Sequence, residues 1–163
     1  IGVYFSHFFC FFLWLMGGFD FTSYYSLLSL SPMLFIGFAV LIFYGRDFNV
    51  MSTGIQSAMS RGVEVIKVQK IGFIMASLLT GTVVSLSGPI GFVGLIVPHI
   101  VRLIVGPDLR ILLPASIFFG ASFLIICDTL ARTLLAPTEI PVGILTAMLG
   151  GPFFVWLLKR PTW

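Results

Sequence analysis

The sequence predicts an all-α fold, a polytopic helical membrane protein with about five transmembrane helices and a short N-terminal helix of re-entrant type. Three observations lead there. Of 163 residues, 58% are hydrophobic and 9% charged, against roughly 25% charged in an ordinary soluble domain. Mean hydropathy is +1.11. The apolar residues also form solid charge-free runs instead of alternating, which excludes a lipid-facing β-barrel and leaves helix as the way to pair the backbone in lipid. Fifteen charges cannot cover a water-exposed globule, so a soluble enzyme, a disordered chain and a free nucleic-acid binder are excluded.

The elements follow in order. Charge-free runs cover Ile1–Phe19, Phe21–Gly45, Ile71–Val101, Ile111–Cys127 and Ile140–Leu158. A span needs about 20 apolar residues. The third run, 31 residues, is too long for one helix, and Gly88-Pro89 divides it. The predicted spans are 27–45, 70–87, 91–106, 111–131 and 141–159. Residues 1–18 offer a sixth, just able to cross about 27 Å if all of it is helix. The chain opens at Ile1 inside an apolar run, with no basic leader ahead of it, and reads as a fragment. Cys10 and Cys127 lie far apart in apolar runs and act as small hydrophobes.

Charge placement predicts orientation. Arg46, Arg61, Lys67, Lys70, Arg102, Arg110, Lys159 and Arg160 fall on one set of connections, and only Arg132 falls on the other. Eight to one is a strong positive-inside asymmetry, placing the 46–69 loop and the C-terminus in the cytoplasm. The whole chain, 1–163, reads as a single transmembrane domain containing that loop. Within the loop, residues 49–54 read as a capped turn, followed by a short amphipathic helix over Ile55–Gly62 that Gly62 stops. A solvated connector is the plain account. Val50, Met51, Ile55, Met59 and Val63 argue against it, because apolar residues at helical spacing suit a helix that docks in a groove.

Catalytic and metal chemistry find no residues to carry them. The chain has no phosphate-binding Gly-x-x-x-x-Gly-Lys loop, no metal-ligand spacing around His7 or His99, and no nucleophile elbow. No cofactor is implied. Gly88, Gly91 and Gly94 recur every third residue and suit close helix packing and a sharp turn at the membrane face. Pro98 removes one hydrogen bond from its span. His99 after it either lines a path or bonds a neighbouring backbone. Asp128 and Arg132 stand one helical turn apart at the end of the span 111–131. They are either functional charges at membrane depth or a self-neutralising pair that anchors the helix end.

Longer stretches carry a resemblance. Gly88 through Arg102, Gly106-Pro107-Asp108, Leu112–Ser116, Asp128–Arg132, Glu139–Ala147 and Gly150–Leu158 together resemble the signature of the FecCD-type permeases. Trp14–Gly18 and Asn49–Gly62 resemble it too. These permeases are the membrane subunits of ABC importers for iron-siderophores, haem and vitamin B12. The resemblance implies the C-terminal half of a ten-helix permease in the inner membrane of a prokaryote. Ile1–Ser6 would end helix five, and His7–Gly18 would be a short helix at the extracytoplasmic mouth instead of a crossing. It implies, as partners, a cytoplasmic ATP-binding subunit, an extracytoplasmic substrate-binding protein, a second permease copy or homologue, and the lipid bilayer, with no nucleic acid. The 46–69 loop would be the coupling segment, with Met51, Gly54, Ile55, Met59, Arg61 and Gly62 as its docking residues. Ile55-Gln56 stands where the family commonly places an acidic residue after the glycine, which shifts weight to apolar contacts. Arg132 resembles the arginine that receives a glutamate from the binding protein. Pro98, His99, Asp128, Gly88 and Gly91 would be structural or path-lining. Two other readings of the chain are a proton-coupled secondary transporter, for which only His99 and Asp128 offer a relay, and a non-transporting membrane assembly subunit.

Overall fold

The computed structural model describes residues 7–8, 11–12, 14–19, 22–134 and 140–159. The predicted helix-five tail (1–6), Cys10, Glu139 and Arg160 lie outside the described residues. The described fold is helical with no strand, and helical residues between 7 and 15 precede seven complete helices. These are α1 (Tyr24–Phe43), α2 (Gly45–Ser52), α3 (Ile55–Ser60), α4 (Val65–Ser87), α5 (Val93–Val105), α6 (Leu109–Leu134) and α7 (Val142–Lys159).

Five of the seven fall on the predicted spans. By length and composition, α1, α4 and α6 can cross a bilayer, while α5 and α7 are shorter apolar helices. With 13 residues, α5 extends only about 20 Å at 1.5 Å per residue, short of a hydrocarbon core of about 30 Å. Glycines set its limits: Gly88 lies in the turn before it at φ +69, and Gly106 caps its end at φ +93.

The packed pairs α1–α4, α5–α6 and α6–α7 run antiparallel, whereas α2 continues on from α1 through helical bonds at Tyr44 and Phe48. In the α1–α4 pair, Thr82 donates to Met33 Sδ at 3.6 Å, and Gly37 receives the Leu79 side chain. Between α5 and α6, Val97, Val101 and Leu112 form a buried cluster joined by Val93, Ala115, Phe119 and Phe123. Between α6 and α7, Cys127, Ala131 and Val142 form a second, joined by Phe123, Leu124 and Leu145. The two clusters share Phe123, so α5, α6 and α7 form one packed unit. Large apolar side chains elsewhere, Tyr24, Phe35, Phe73 and Phe118 among them, lie exposed on the outside of the bundle. That distribution suits a chain whose solvent is lipid.

The antiparallel packing sorts the ends of the helices. Arg46, Arg61, Lys67, Lys70, Arg102, Arg110 and Lys159 gather at or near one end, and Arg132 lies toward the other. The connector between α1 and α4 differs from expectation. Residues 49–52, read as a turn, continue helix α2, and the break falls at Thr53-Gly54. The cause is tertiary: the Asn49 carboxamide does not cap the following turn but bonds a residue 59 positions away. At the far side, Val65–Gln69 belong to the first turns of α4 instead of the loop.

Candidate functional site

The segment 45–64 is held on two sides. Phe48 fills the notch left by Gly72 of α4, and Gly45 lies close against Arg110 of α6, where a β-carbon would stand 3.3 Å from the Arg110 side chain. Asn49 Nδ2 donates to Asp108 Oδ1 at 2.6 Å, and the Leu109 amide donates to Asn49 Oδ1 at 2.9 Å. The Arg110 amide adds a third bond to Asp108 Oδ1 at 3.0 Å. First the Arg110 amide, then the Asn49 amide, stabilises the carboxylate and holds Asp108 below the usual carboxylate range. A lowered pKa stabilises the fold above the ordinary carboxylate range and is lost only as pH falls through the lowered value, so the clasp stays closed at neutral pH.

Two glycines isolate α3. Gly54 sits at φ +124 and ψ +143, which a side chain rarely permits. At the other end, Gly62 at φ +80 completes a Schellman cap: its amide donates to Met59 O at 3.0 Å, and the Val63 amide donates to Ala58 O at 3.1 Å. Ala58 is buried and seats the helix. Ile55 and Met59, one turn apart, are 53% and 55% exposed. Met51 is half-buried, and Arg61 is exposed beside Gly62. An apolar groove of about 580 Å³ lined by Met59, Val63, Ile66 and Ile71 adjoins the helix. Next to it lies a polar cavity of about 420 Å³ lined by Arg46, Asp47, Arg61, Glu64 and Lys67. An exposed apolar pair inside a charged rim is a surface fit for a protein partner.

At the opposite end, Arg132 Nε donates to Asp128 Oδ2 at 3.0 Å, with the side chains 42% and 27% exposed. The pair exists, and the guanidinium still reaches the surface. Nearby, residues 14–18 are stitched to two other segments. The Gly18 amide donates to Ser87 O at 2.9 Å, and the Gly143 amide to Gly17 O at 3.1 Å. Gly88 lies beneath the Trp14 carbonyl and Gly143 beneath the Met16 carbonyl. Three remote stretches thus meet backbone to backbone. The sequence carried a signal for Gly88 but none for Gly17 or Gly143 as its partners.

The remaining candidates sort differently. Gly88 packs closely, but Gly91 and Gly94 have open space where a β-carbon would go, so the close-packing expectation does not describe those two. Pro98 lies inside α5. The half-buried His99 ring stands edge-on to Phe153 of α7, centroids 6.0 Å apart, and Phe153 in turn tilts against Trp156. A small cavity of about 230 Å³ runs past Gly94, Pro98, His99 and Arg102. Among the described residues, no three His, Cys, Asp or Glu side chains converge to hold a metal. Two further features escaped the sequence reading. One is the Asn49–Asp108 clasp, hinted at only by an aspartate just ahead of a helix. The other is Phe92, a non-glycine residue at φ +65 whose side chain covers Gly150.

Helices apolar enough to cross a bilayer, with an exposed helical knuckle at the basic end, define a multi-pass membrane protein. This chain belongs to the FecCD transport family, whose model matches residues 6–160. It is 46% identical, over 90% of its length and 39% of the relative's, to the cobalamin import system permease protein BtuC of Halobacterium salinarum. It is 41% identical, over 91% of its length and 44% of the relative's, to the hemin transport system permease protein HmuU of Yersinia pestis. A solved chain described as an inward-facing conformation of a metal-chelate type ABC transporter superposes with a TM-score of 0.82. The two are 33% identical, over 90% of this chain and 49% of the other. The chain therefore spans less than half the length of these relatives.

Proposed function

We propose that this chain is part of a permease subunit of an ATP-driven importer for an iron-siderophore, haem or cobalamin-type substrate. The subunit sits in the inner membrane of a prokaryote and performs no covalent chemistry. A partner hydrolyses ATP and displaces the segment 45–64, and the helices rock between inward- and outward-facing states beside a second permease copy. The basic end faces the cytoplasm, by the positive-inside asymmetry. There, Met51, Gly54, Ile55, Met59, Arg61 and Gly62 present the docking surface for the ATP-binding subunit. At the other end, Arg132 receives a carboxylate of the substrate-binding protein.

The observation that carries this reading is α3: two exposed apolar side chains on a short helix, fixed between two positive-φ glycines. A connector that merely crosses water has no use for that arrangement. The decisive experiment is affinity purification of the complete permease with its ATP-binding subunit, followed by uptake in liposomes. Co-purification and ATP-dependent uptake are expected. Uptake that ignores ATP but stops with a protonophore would make the protein a proton-coupled transporter, and stable assembly with no uptake would make it a non-transporting subunit.

A further inference from the structure

We propose that Asn49 is a positioning residue of the transport cycle, latching the coupling segment to the first turn of α6. This rests on the transport reading above. The Asn49 carboxamide uses both ends: Nδ2 donates to Asp108 Oδ1 at 2.6 Å, and Oδ1 accepts the Leu109 amide at 2.9 Å. A helix start leaves amides without intrahelical partners, and a neighbouring residue in the chain usually satisfies them. Asp108 already does so for Arg110. The second cap comes from another element, 60 positions away. For folding α6 alone, a residue at 108 would suffice.

The latch has a mechanical setting. Gly45 lies against Arg110 on the same side, and Phe48 is wedged at Gly72 on the other, so α2 cannot slide without breaking both fits. Turn bonds of 3.2 Å (Thr53 N to Val50 O) and 3.1 Å (Gly54 N to Met51 O) close the end of α2, and Gly54, whose carbonyl accepts the Ala58 amide at 3.0 Å, starts α3 directly after it. A push on Ile55 or Met59 therefore reaches α2, and through Asn49 the end of α6. That helix has 26 residues, about 39 Å at 1.5 Å per residue, and carries Asp128 and Arg132 near its far end. A continuous helix gripped at one end delivers displacement to the other, with Pro114 in its second turn a point where one backbone bond is missing. With the grip released, the same push is absorbed in the connector. Because Asp108 is held ionised, the Asn49 bond is charge-assisted.

The test uses the complete permease reconstituted with its ATP-binding subunit and binding protein, and compares uptake with ATP hydrolysed, per assembled complex. Ferric citrate, haemin and cobalamin are the probes, and the one that the unaltered transporter carries is used throughout. Asn49→Asp sets carboxylate against carboxylate. Uptake is expected to fall tenfold or more, with hydrolysis within twofold of the unaltered complex. Adding Asp108→Asn restores the two bonds between the elements with one of them reversed: the new carboxamide at 108 donates to the carboxylate at 49, which also accepts the Leu109 amide, while the Arg110 amide, which had shared Asp108 Oδ1, loses that acceptor. Uptake should return to within twofold. A double variant as poor as the single one overturns the latch, as does Asn49→Asp with unchanged uptake per complex. Should Asn49→Asp assemble poorly, Asn49→Cys with Asp108→Cys, in a background without other cysteines, is bridged by a short bifunctional thiol reagent. Without the reagent uptake should be low, because the latch groups are gone; bridging should restore it, because the pair stays together through the cycle, and a bridge that arrests uptake or leaves it low overturns the proposal. An unaltered complex that shows no ATP-driven uptake overturns the transport reading instead, so the two failures are distinguishable.

Discussion

Gly88 has no room for a β-carbon: it lies at φ +69 beneath the Trp14 carbonyl. Left-handed backbone costs a side-chain-bearing residue about 1–2 kcal/mol before any clash is counted. Gly88→Ala should destabilise the protein by roughly 2 kcal/mol or more, read as a lower thermal midpoint in detergent. Gly91→Ala, where nothing lies within 4 Å, should leave it unchanged. Equal effects would mean that the backbone junction at 14–18, 87–89 and 143 does not hold this end together. Arg132 poses the other question at this scale. It bonds Asp128 at 3.0 Å and remains 42% exposed, so pairing and docking are compatible. Arg132→Glu should weaken association with the binding protein and its salt dependence, with normal expression, and a Glu→Arg change on the partner should restore it. Lower expression with docking intact would assign Arg132 to the helix end alone.

Among the elements, α3 makes the sharpest forecast. Its six residues cannot be stable as an isolated helix, since nucleation is too costly at that length. Buried Ala58 and the Gly62 cap hold it, and Ile55 and Met59 are left outward. If those two seat in an apolar groove of the ATP-binding subunit, Ile55→Asp or Met59→Asp buries an unpaired charge. Affinity for that subunit should fall by at least about 2 kcal/mol, more than tenfold in Kd, with membrane insertion normal. A pull-down with unchanged affinity reduces α3 to a connector. Gly62→Ala should act more weakly and through the fold, because the cost lies in the left-handed cap and nothing stands within 4 Å to clash with a methyl.

For the whole molecule, the antiparallel packing turns a count of charges into an orientation. Basic residues at three places, the α1–α4 segment, the α5–α6 turn and the end of α7, fall at one end because α1, α4, α5, α6 and α7 alternate direction. Ser57→Cys on α3 should then react with a membrane-impermeant thiol reagent only from the cytoplasmic side. Gly91→Cys, exposed near the opposite end with space for a side chain, should react only from outside. Labelling of both from one face would sink the topology. The same scale explains the large exposed Phe, Ile and Leu content, which in water would be an aggregation hazard and in lipid is ordinary surface.

Composition and run length alone determined the all-helical membrane class, the five apolar helices within a few residues of their ends, and the segregation of charge. Those signals are local: hydropathy is summed over a window, and a glycine such as Gly62 stops a helix by its own backbone freedom. The exposed pair Ile55 and Met59 was legible for the same reason, since spacing four places them on one face. Tertiary structure decided the rest. Asn49 reads as the cap of the turn that follows it, but its amide serves a helix 60 residues on, and only packing brings the two together. Likewise, Gly17 and Gly143 look like any glycines until three backbones cross at their α-carbons. Whether Asp128 and Arg132 pair was open at spacing four, and the rotamers closed it at 3.0 Å. A hydrogen bond or a close approach depends on two positions at once, and a sequence read along its length supplies one at a time.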